Sequence, residues 1–381
     1  MKVEVVSQKL VKPCTPTPED LKKYKITFMD ELNSAMNVVV ILYCQSDAAI
    51  NENRNHLEES LAQSCPTFTF LQDDTSKKIT WLIAPEQLND HLPCEIGEAD
   101  EETDPILSIQ ISKFICGGVA IDISISHRIV DAGSLGTFIS AWPELGITRT
   151  RVNDFGNIVA KRFVFDKNAI SKMRHRVQIS IGEKLRQPSR VQVVSGIIMN
   201  VIAGIDVARY GQQSRALLVV QDVNIRERTV PVLSRLRCGN LAALAITERS
   251  VDETKNMEFQ DFVSVLGEDA RKTVDDCKRI LSDGEDGQKF LIDRCDYAFE
   301  KSLRSDAYNV VWVIDWCKFR FYEADFGWGN PVWASIANVV IKNHVLLMNN
   351  KEGDGIEAWV QLQESDMAYF EQDEQLRMFT T

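Results

Sequence analysis

Leu107-Ser108-Ile109-Gln110-Ile111-Ser112, the turn Cys116-Gly117-Gly118, and Ile121-Asp122-Ile123-Ser124-Ile125-Ser126-His127 form the stretch on which the fold is read. Leucine and isoleucine alternate with small polar residues on both sides of a glycine-containing turn. That pattern predicts a β-hairpin with one strongly apolar face. Period two puts His127 on the face of Ile121, Ile123 and Ile125, so its imidazole is expected to point toward the interior at a strand end. Asp131 to Ser134 then supply N-cap chemistry for a helix ending near Trp142.

Upstream, residues 3–6 read as a strand, residues 13–18 as a proline-rich turn leading into a helix, and residues 38–43 as a buried strand. Residues 56–63 read as a helix and 95–104 as an acidic loop. Residues 143–160, with Pro143, Gly146, Asn153, Asp154, Gly156 and Asn157, read as a linker. Downstream, a strand over 161–166 opens the second half. Helices are expected over 190–209, 258–282 and 286–303, and strands over 217–223, 241–247, 316–322, 345–349 and 356–362. Strands and helices mix without strict βαβ alternation, which favours an α/β or α+β chain with mixed sheets over a Rossmann wind.

The chain has 381 residues, 44% hydrophobic and 26% charged, enough to bury a large core and too apolar for dominant disorder. Its length suggests two domains. The net charge of −12 leaves no basic footprint for nucleic acid. The cysteines number nine, an odd count with no CxxC pair, which fits reduced thiols in the cytoplasm. Neither a signal-peptide apolar region nor a membrane-length apolar run is visible. His56, His91, His175 and His344 lack metal-ligand spacing, so no metal is expected.

Two motifs carry the chemistry. His127 and Asp131 form an HxxxD element. Histidine is the natural general base near neutrality, with an unperturbed pKa of about 6.5. A structural strand-end histidine is the competing reading, and Asp131 either orients the ring or caps the helix. The second motif is Asp325-Phe326-Gly327-Trp328-Gly329. A kinase reading fails, because the glycine-rich loop and VAIK lysine are missing and Ile129 follows His127-Arg128. A tight turn held by Asp325, with Trp328 packed beneath, is the physical reading. Lys161, Arg162, Lys172, Arg174, Arg176, Lys184, Arg186 and Arg190 form a basic grouping, either a solvated face or a receiver of phosphates.

HxxxD followed by DFGWG, in that order, resembles the plant BAHD acyl-CoA-dependent acyltransferases, nearest to their alkaloid-acetylating branch. The likeness extends through Phe114-Ile115-Cys116-Gly117-Gly118, Lys161 to Asp166, Val223-Asn224-Ile225-Arg226, Gly239-Asn240 and Gly355 to Trp359. It implies an α/β fold of two similar-sized domains, mixed β-sheets flanked by helices, with a channel at the interface. Residues 1–150 would be the N-terminal domain carrying HxxxD, rejoined by about 320–345. Residues 151–381 would be the C-terminal domain, carrying DFGWG at the crossover.

The resemblance further implies transfer of an acyl group, acetyl, from acyl-CoA to a hydroxyl of a plant specialised metabolite, an alkaloid. His127 would be the general base and Asp131 an orienting residue paired with Arg226. Trp316 would be an oxyanion donor. Asp325, Gly327, Trp328 and Gly329 would be structural. Ser189, Arg190, Gly239 and Asn240 would line the coenzyme mouth. A cytoplasmic monomer is implied, with acetyl-CoA as co-substrate, an acceptor alcohol, and no permanently bound cofactor, metal, nucleic acid or membrane.

The chain also departs from this pattern. After Gln63, relatives carry a Tyr-Pro-Leu-Ala-Gly-Arg segment and a strand pair, whereas this chain passes to Ser64-Cys65-Pro66. The crossover at 143–160 is short, Met199-Asn200 replace a frequent Trp-Lys, and Ile314-Asp315-Trp316 replace Thr-Ser-Trp. These departures keep a second reading open, a shortened non-catalytic relative that binds a small molecule or a partner enzyme.

Overall fold

The computed structural model describes residues 5–11, 37–45, 68–75, 107–114, 118–127, 130–140, 157–181, 187–229, 232–234, 240–280, 285–325, 329–336 and 342–380. The turn expected at 13–18, the helix at 56–63, the acidic loop at 95–104 and most of the linker lie outside these residues. In chain order the elements are β1 (Val5–Val11), β2 (Asn37–Cys44), β3 (Phe68–Thr75), β4 (Leu107–Phe114), β5 (Val119–Ser126), α1 (Ala132–Ser140), β6 (Ile158–Phe165), α2 (Lys167–Ile181) and α3 (Arg190–Tyr210). There follow β7 (Ala216–Asn224), β8 (Ala242–Arg249), α4 (Val251–Asn256), α5 (Phe259–Ile280), α6 (Glu285–Leu303), β9 (Tyr308–Asp315), β10 (Trp333–Ile336), β11 (His344–Asn349), β12 (Ile356–Gln363), α7 (Glu364–Gln372) and α8 (Glu374–Arg377).

The chain divides into two compact units. The first contains Met1–Asp154, Arg235–Leu241 and Phe319–Val339; the second contains Phe155–Ser234, Ala242–Lys318 and Val340–Thr381. Asp325 and Gly329 thus lie in the segment 319–339 of the first unit, within the stretch of about 320–345 that the sequence reading had rejoin the N-terminal domain. The short insertion 235–241 was not anticipated by that reading.

In the first unit a six-stranded mixed sheet runs β1-β3-β4-β5-β2-β10. The hairpin read from the alternation is present: β4 pairs antiparallel with β5, with Ile109 opposite Ile123 and Ile111 opposite Ile121. β5 is buried along its whole length. The alternation therefore does not mean one solvated face, because Ser108, Gln110, Ser112, Asp122, Ser124 and Ser126 are buried too. β3 pairs parallel with β4 and antiparallel with β1, so a strand is in place in the region after Gln63.

The second unit has its own six-stranded mixed sheet, β6-β12-β11-β9-β7-β8. Its main core packs α2, α3 and α5 on one sheet face through Met173, Val177, Ile197, Ile198, Phe259 and Phe262. α3 is held at its start by a reciprocal cap between Ser189 and Gln192. The strand expected over 316–322 is displaced: β9 ends at Asp315, and Phe321–Glu323 form a short 3-10 turn. The aromatics Phe319 and Phe321 imitate strand alternation, but they stack edge to face on each other at 5.9 Å.

Candidate active site

His127 follows the last residue of β5 and is half-buried in a turn. Its ring meets Asn240, which lies 113 residues later in sequence but in the same structural unit. Asn240 Nδ2 donates to the His127 backbone carbonyl at 2.7 Å. Asn240 Oδ1 lies 3.1 Å from His127 Nδ1. Together these contacts determine the tautomer. A carbonyl only accepts, so the amide nitrogen faces it and the amide oxygen faces the ring. An amide oxygen also only accepts, so Nδ1 carries a proton, and in the neutral ring it is Nε2 that holds the lone pair. This is the form a general base requires.

Asp131 is the N-cap of α1. Its Oδ1 accepts from the Ser134 backbone N–H at 2.8 Å and from Ser134 Oγ at 3.0 Å. Its backbone carbonyl accepts from Leu135 N–H at 3.0 Å. The second carboxylate oxygen accepts from the Leu241 N–H at 2.9 Å. Asp131 therefore fastens the start of α1 to the residue beside Asn240. Local capping, one of the two roles read from the sequence, is what the geometry displays. A further close contact seats α1: a Cβ on Gly136 would lie 2.9 Å from both Cβ and Cγ of Phe319.

Asn240 was expected at the coenzyme mouth. It is buried, with its amide turned to His127. No local pattern marks it, since the partnership closes only in the tertiary fold. Ser189 and Arg190, also expected at the coenzyme mouth, have structural partners. Ser189 Oγ accepts from Gln192 N–H at 3.1 Å and Ser189 N–H donates to Gln192 Oε1 at 2.7 Å. Arg190 donates to the carbonyls of Gly353 and Gly355 and, at 3.1 Å, to Asn349 Oδ1, so it clamps the β11–β12 turn.

Those acceptors are neutral, so the Arg190 charge is not cancelled by them. Next to it stands Arg174, whose buried Nε–H finds no acceptor among the described residues. Burial, followed by the Arg190 charge, lowers the Arg174 pKa. The basic grouping in the sequence pointed to this arginine without distinguishing it from its neighbours.

Arg226 is buried in the second unit, in the turn after β7, where its N–H donates to Asn224 Oδ1 at 2.9 Å. The next residue, Glu227, has φ of 60°, a left-handed conformation that tightens the turn. Trp316 is buried at the end of β9, its N–H donating to the Leu347 carbonyl at 2.8 Å. Asp325 Oδ1 accepts from Gly329 N–H at 3.0 Å, and Gly329 has φ of 95°, as a tight glycine turn requires. Gly327, Trp328 and Gly239 lie outside the described residues. No cluster of metal-ligating side chains occurs among the described residues.

The chain matches the model of the Transferase family over residues 77–155 and 147–377. It is 31% identical over 432 positions, covering 100% of both chains, to pelargonidin 3-O-(6-caffeoylglucoside) 5-O-(6-O-malonylglucoside) 4'''-malonyltransferase of Salvia splendens. That alignment is longer than this chain's 381 residues, so the relative carries segments this chain lacks. Vinorine synthase of Rauvolfia serpentina is 30% identical, covering 96% of this chain and 95% of the relative. Its crystal structure superposes with a TM-score of 0.82 at 27% identity, covering 100% of this chain and 98% of that one. Stemmadenine O-acetyltransferase of Catharanthus roseus is 28% identical, covering 97% and 96%.

Proposed function

We infer the reaction from one premise: the chain belongs to the BAHD transferase family, the acyl-CoA-dependent acyltransferases. We propose that it transfers an acetyl group from acetyl-CoA to a hydroxyl of a plant specialised metabolite, an alkaloid, with His127 as general base. His127 Nε2 takes the hydroxyl proton, and the oxygen attacks the thioester carbonyl. The tetrahedral adduct collapses, the C–S bond breaks, and the imidazolium proton is available to the departing thiolate.

The observation that carries this reading is the paired contact of Asn240 with the His127 ring and backbone, which leaves Nε2 as the basic nitrogen. General-base assistance of this kind is worth about 10²–10⁴ in rate. Asp131 would act by holding α1 and Leu241. Trp316 would donate to the oxyanion. The like-charged Arg174 and Arg190, whose neighbouring charges lower the Arg174 pKa after burial does, would receive coenzyme phosphate. The protein would act in the cytoplasm as a monomer.

The likeness to a malonyltransferase makes malonyl-CoA the competing donor. The likeness to an O-acetyltransferase favours acetyl. The test is CoA release by purified protein across a panel of alkaloid alcohols with acetyl-CoA or malonyl-CoA. His127→Ala should reduce release by about 10²–10⁴. Release that survives the substitution, or malonyl-CoA as the better donor, would overturn the corresponding part. Acceptor binding without turnover, unchanged in His127→Ala, would establish the non-catalytic reading instead.

A further inference from the structure

Where the ladder between β9 and β11 ends, a side chain continues it. The two strands pair parallel as far as Asp315 and Leu347, and the Trp316 N–H still donates to the Leu347 carbonyl at 2.8 Å. One residue on, the Cys317 carbonyl accepts from Nδ2 of Asn349, the last residue of β11. The Cys317 N–H turns back to Asp315 Oδ1 at 2.9 Å. Trp316 thus stands in a turn fastened at its own N–H and at both backbone groups of Cys317.

The other end of the same amide faces α3. Asn349 Oδ1 accepts from Arg190 Nη2 at 3.1 Å. A guanidinium only donates and a backbone carbonyl only accepts, so oxygen and nitrogen of this amide can stand only this way round. An aspartate here could not donate to Cys317, and a lysine could not accept from Arg190. The amide also holds Arg190 without neutralising it, as the Gly353 and Gly355 carbonyls do at Nη1. Arg190, Trp316 and Asn349 all belong to the second unit.

We propose that Asn349 is a positioning residue for the transfer: it holds Arg190 as an uncancelled cation and ties it to the turn that carries Trp316. The proposal rests on the reading in which Arg190 receives coenzyme phosphate and Trp316 donates to the oxyanion. Asn349 touches neither substrate. It acts through Arg190 on coenzyme affinity, and through the Cys317 carbonyl on the placing of Trp316.

The experiment titrates acetyl-CoA into the full-length parent, Asn349→Ala, Asn349→Asp and Arg190→Gln by calorimetry, with a melting curve for each. The carboxylate of Asn349→Asp pairs with Arg190 and competes with phosphate for it. Its Kd should rise at least about fivefold, whereas Asn349→Ala leaves the cation uncancelled and should stay within about threefold of the parent. A residue that only supports the fold gives the opposite order, because aspartate copies the shape of asparagine and alanine does not. In CoA release, kcat should fall roughly five- to thirtyfold in both variants, since each loses the donor to the Cys317 carbonyl. Arg190→Gln separates two failures. If it binds acetyl-CoA as tightly as the parent, the coenzyme reading of Arg190 falls and the proposal falls with it. If it binds more weakly, but Asn349→Asp binds no more weakly than Asn349→Ala, the proposal alone is overturned. An unchanged kcat in Asn349→Ala would overturn the tie to Trp316.

Discussion

Asn240 grips His127 twice, its amide nitrogen on the backbone carbonyl at 2.7 Å and its amide oxygen at Nδ1 at 3.1 Å. Ring and backbone are thereby locked to one side chain, and Nε2 is the nitrogen left for chemistry. Asn240→Ala removes both contacts and frees the tautomer. An orienting hydrogen bond of about 1–3 kcal/mol corresponds to a fall in kcat of roughly 5- to 160-fold. KM for acyl-CoA should stay within about twofold, because this residue faces the histidine. Steady-state kinetics decide the point: a raised KM with unchanged kcat would return Asn240 to the coenzyme mouth.

Asp131 makes a related prediction through Leu241. One carboxylate oxygen caps α1 and the other accepts the Leu241 N–H at 2.9 Å. Asp131→Asn puts an amide donor against one of these backbone donors. An unmet buried N–H costs about 1–3 kcal/mol. The variant should melt earlier than the parent and lose kcat, because the displaced Leu241 adjoins Asn240. An unchanged melting temperature would show that the two contacts hold nothing in place.

The packing of α1 can be tested without touching polar groups. Gly136 admits Phe319 where a Cβ would come within 2.9 Å. Gly136→Ala should destabilise the protein by about 1–3 kcal/mol through overpacking, despite the better helix propensity of alanine. Combining it with Phe319→Ala should give less than the sum of the two losses, by more than about 0.5 kcal/mol. Denaturant unfolding of the four proteins in the cycle measures this, and additivity would refute the contact.

How far the sequence reveals this site depends on the range of each interaction. The hairpin and the helix after Asp131 were legible because alternation and N-cap chemistry are local. α2 was read only as a basic grouping, although Ala169, Ile170, Met173 and Val177 are buried at helical spacing beneath those charges. β9 was missed because its apolar residues are nearly continuous and the polar Asn309 takes a buried position, so the residue types do not show the alternation that the burial follows. Asn240 carries no local signature at all: an asparagine after glycine reads as a turn until the fold brings it to His127. The contacts of Arg190 were invisible for a similar reason, since its partners at Gly353, Gly355 and Asn349 lie far along the chain.

His344 gives the pH prediction. It lies at the start of β11, directly across from Gln361 on β12 and Trp312 on β9. Its Nδ1 is buried without a hydrogen-bond partner among the described residues. Burial lowers its pKa from 6.5 to about 4. The unfolded chain therefore binds this proton more readily than the folded one, and stability is lost as pH falls from about 6.5 toward about 4. A shift of that size corresponds to roughly 3 kcal/mol across the window. Above about pH 6.5 this contribution is complete and flat. His344→Gln removes the titration, so its denaturant midpoint should fall less steeply between pH 7 and pH 5 than the parent's. Equal slopes for the two proteins would mean that the imidazole finds a proton-accepting partner in the folded state and does not contribute to the acid limb.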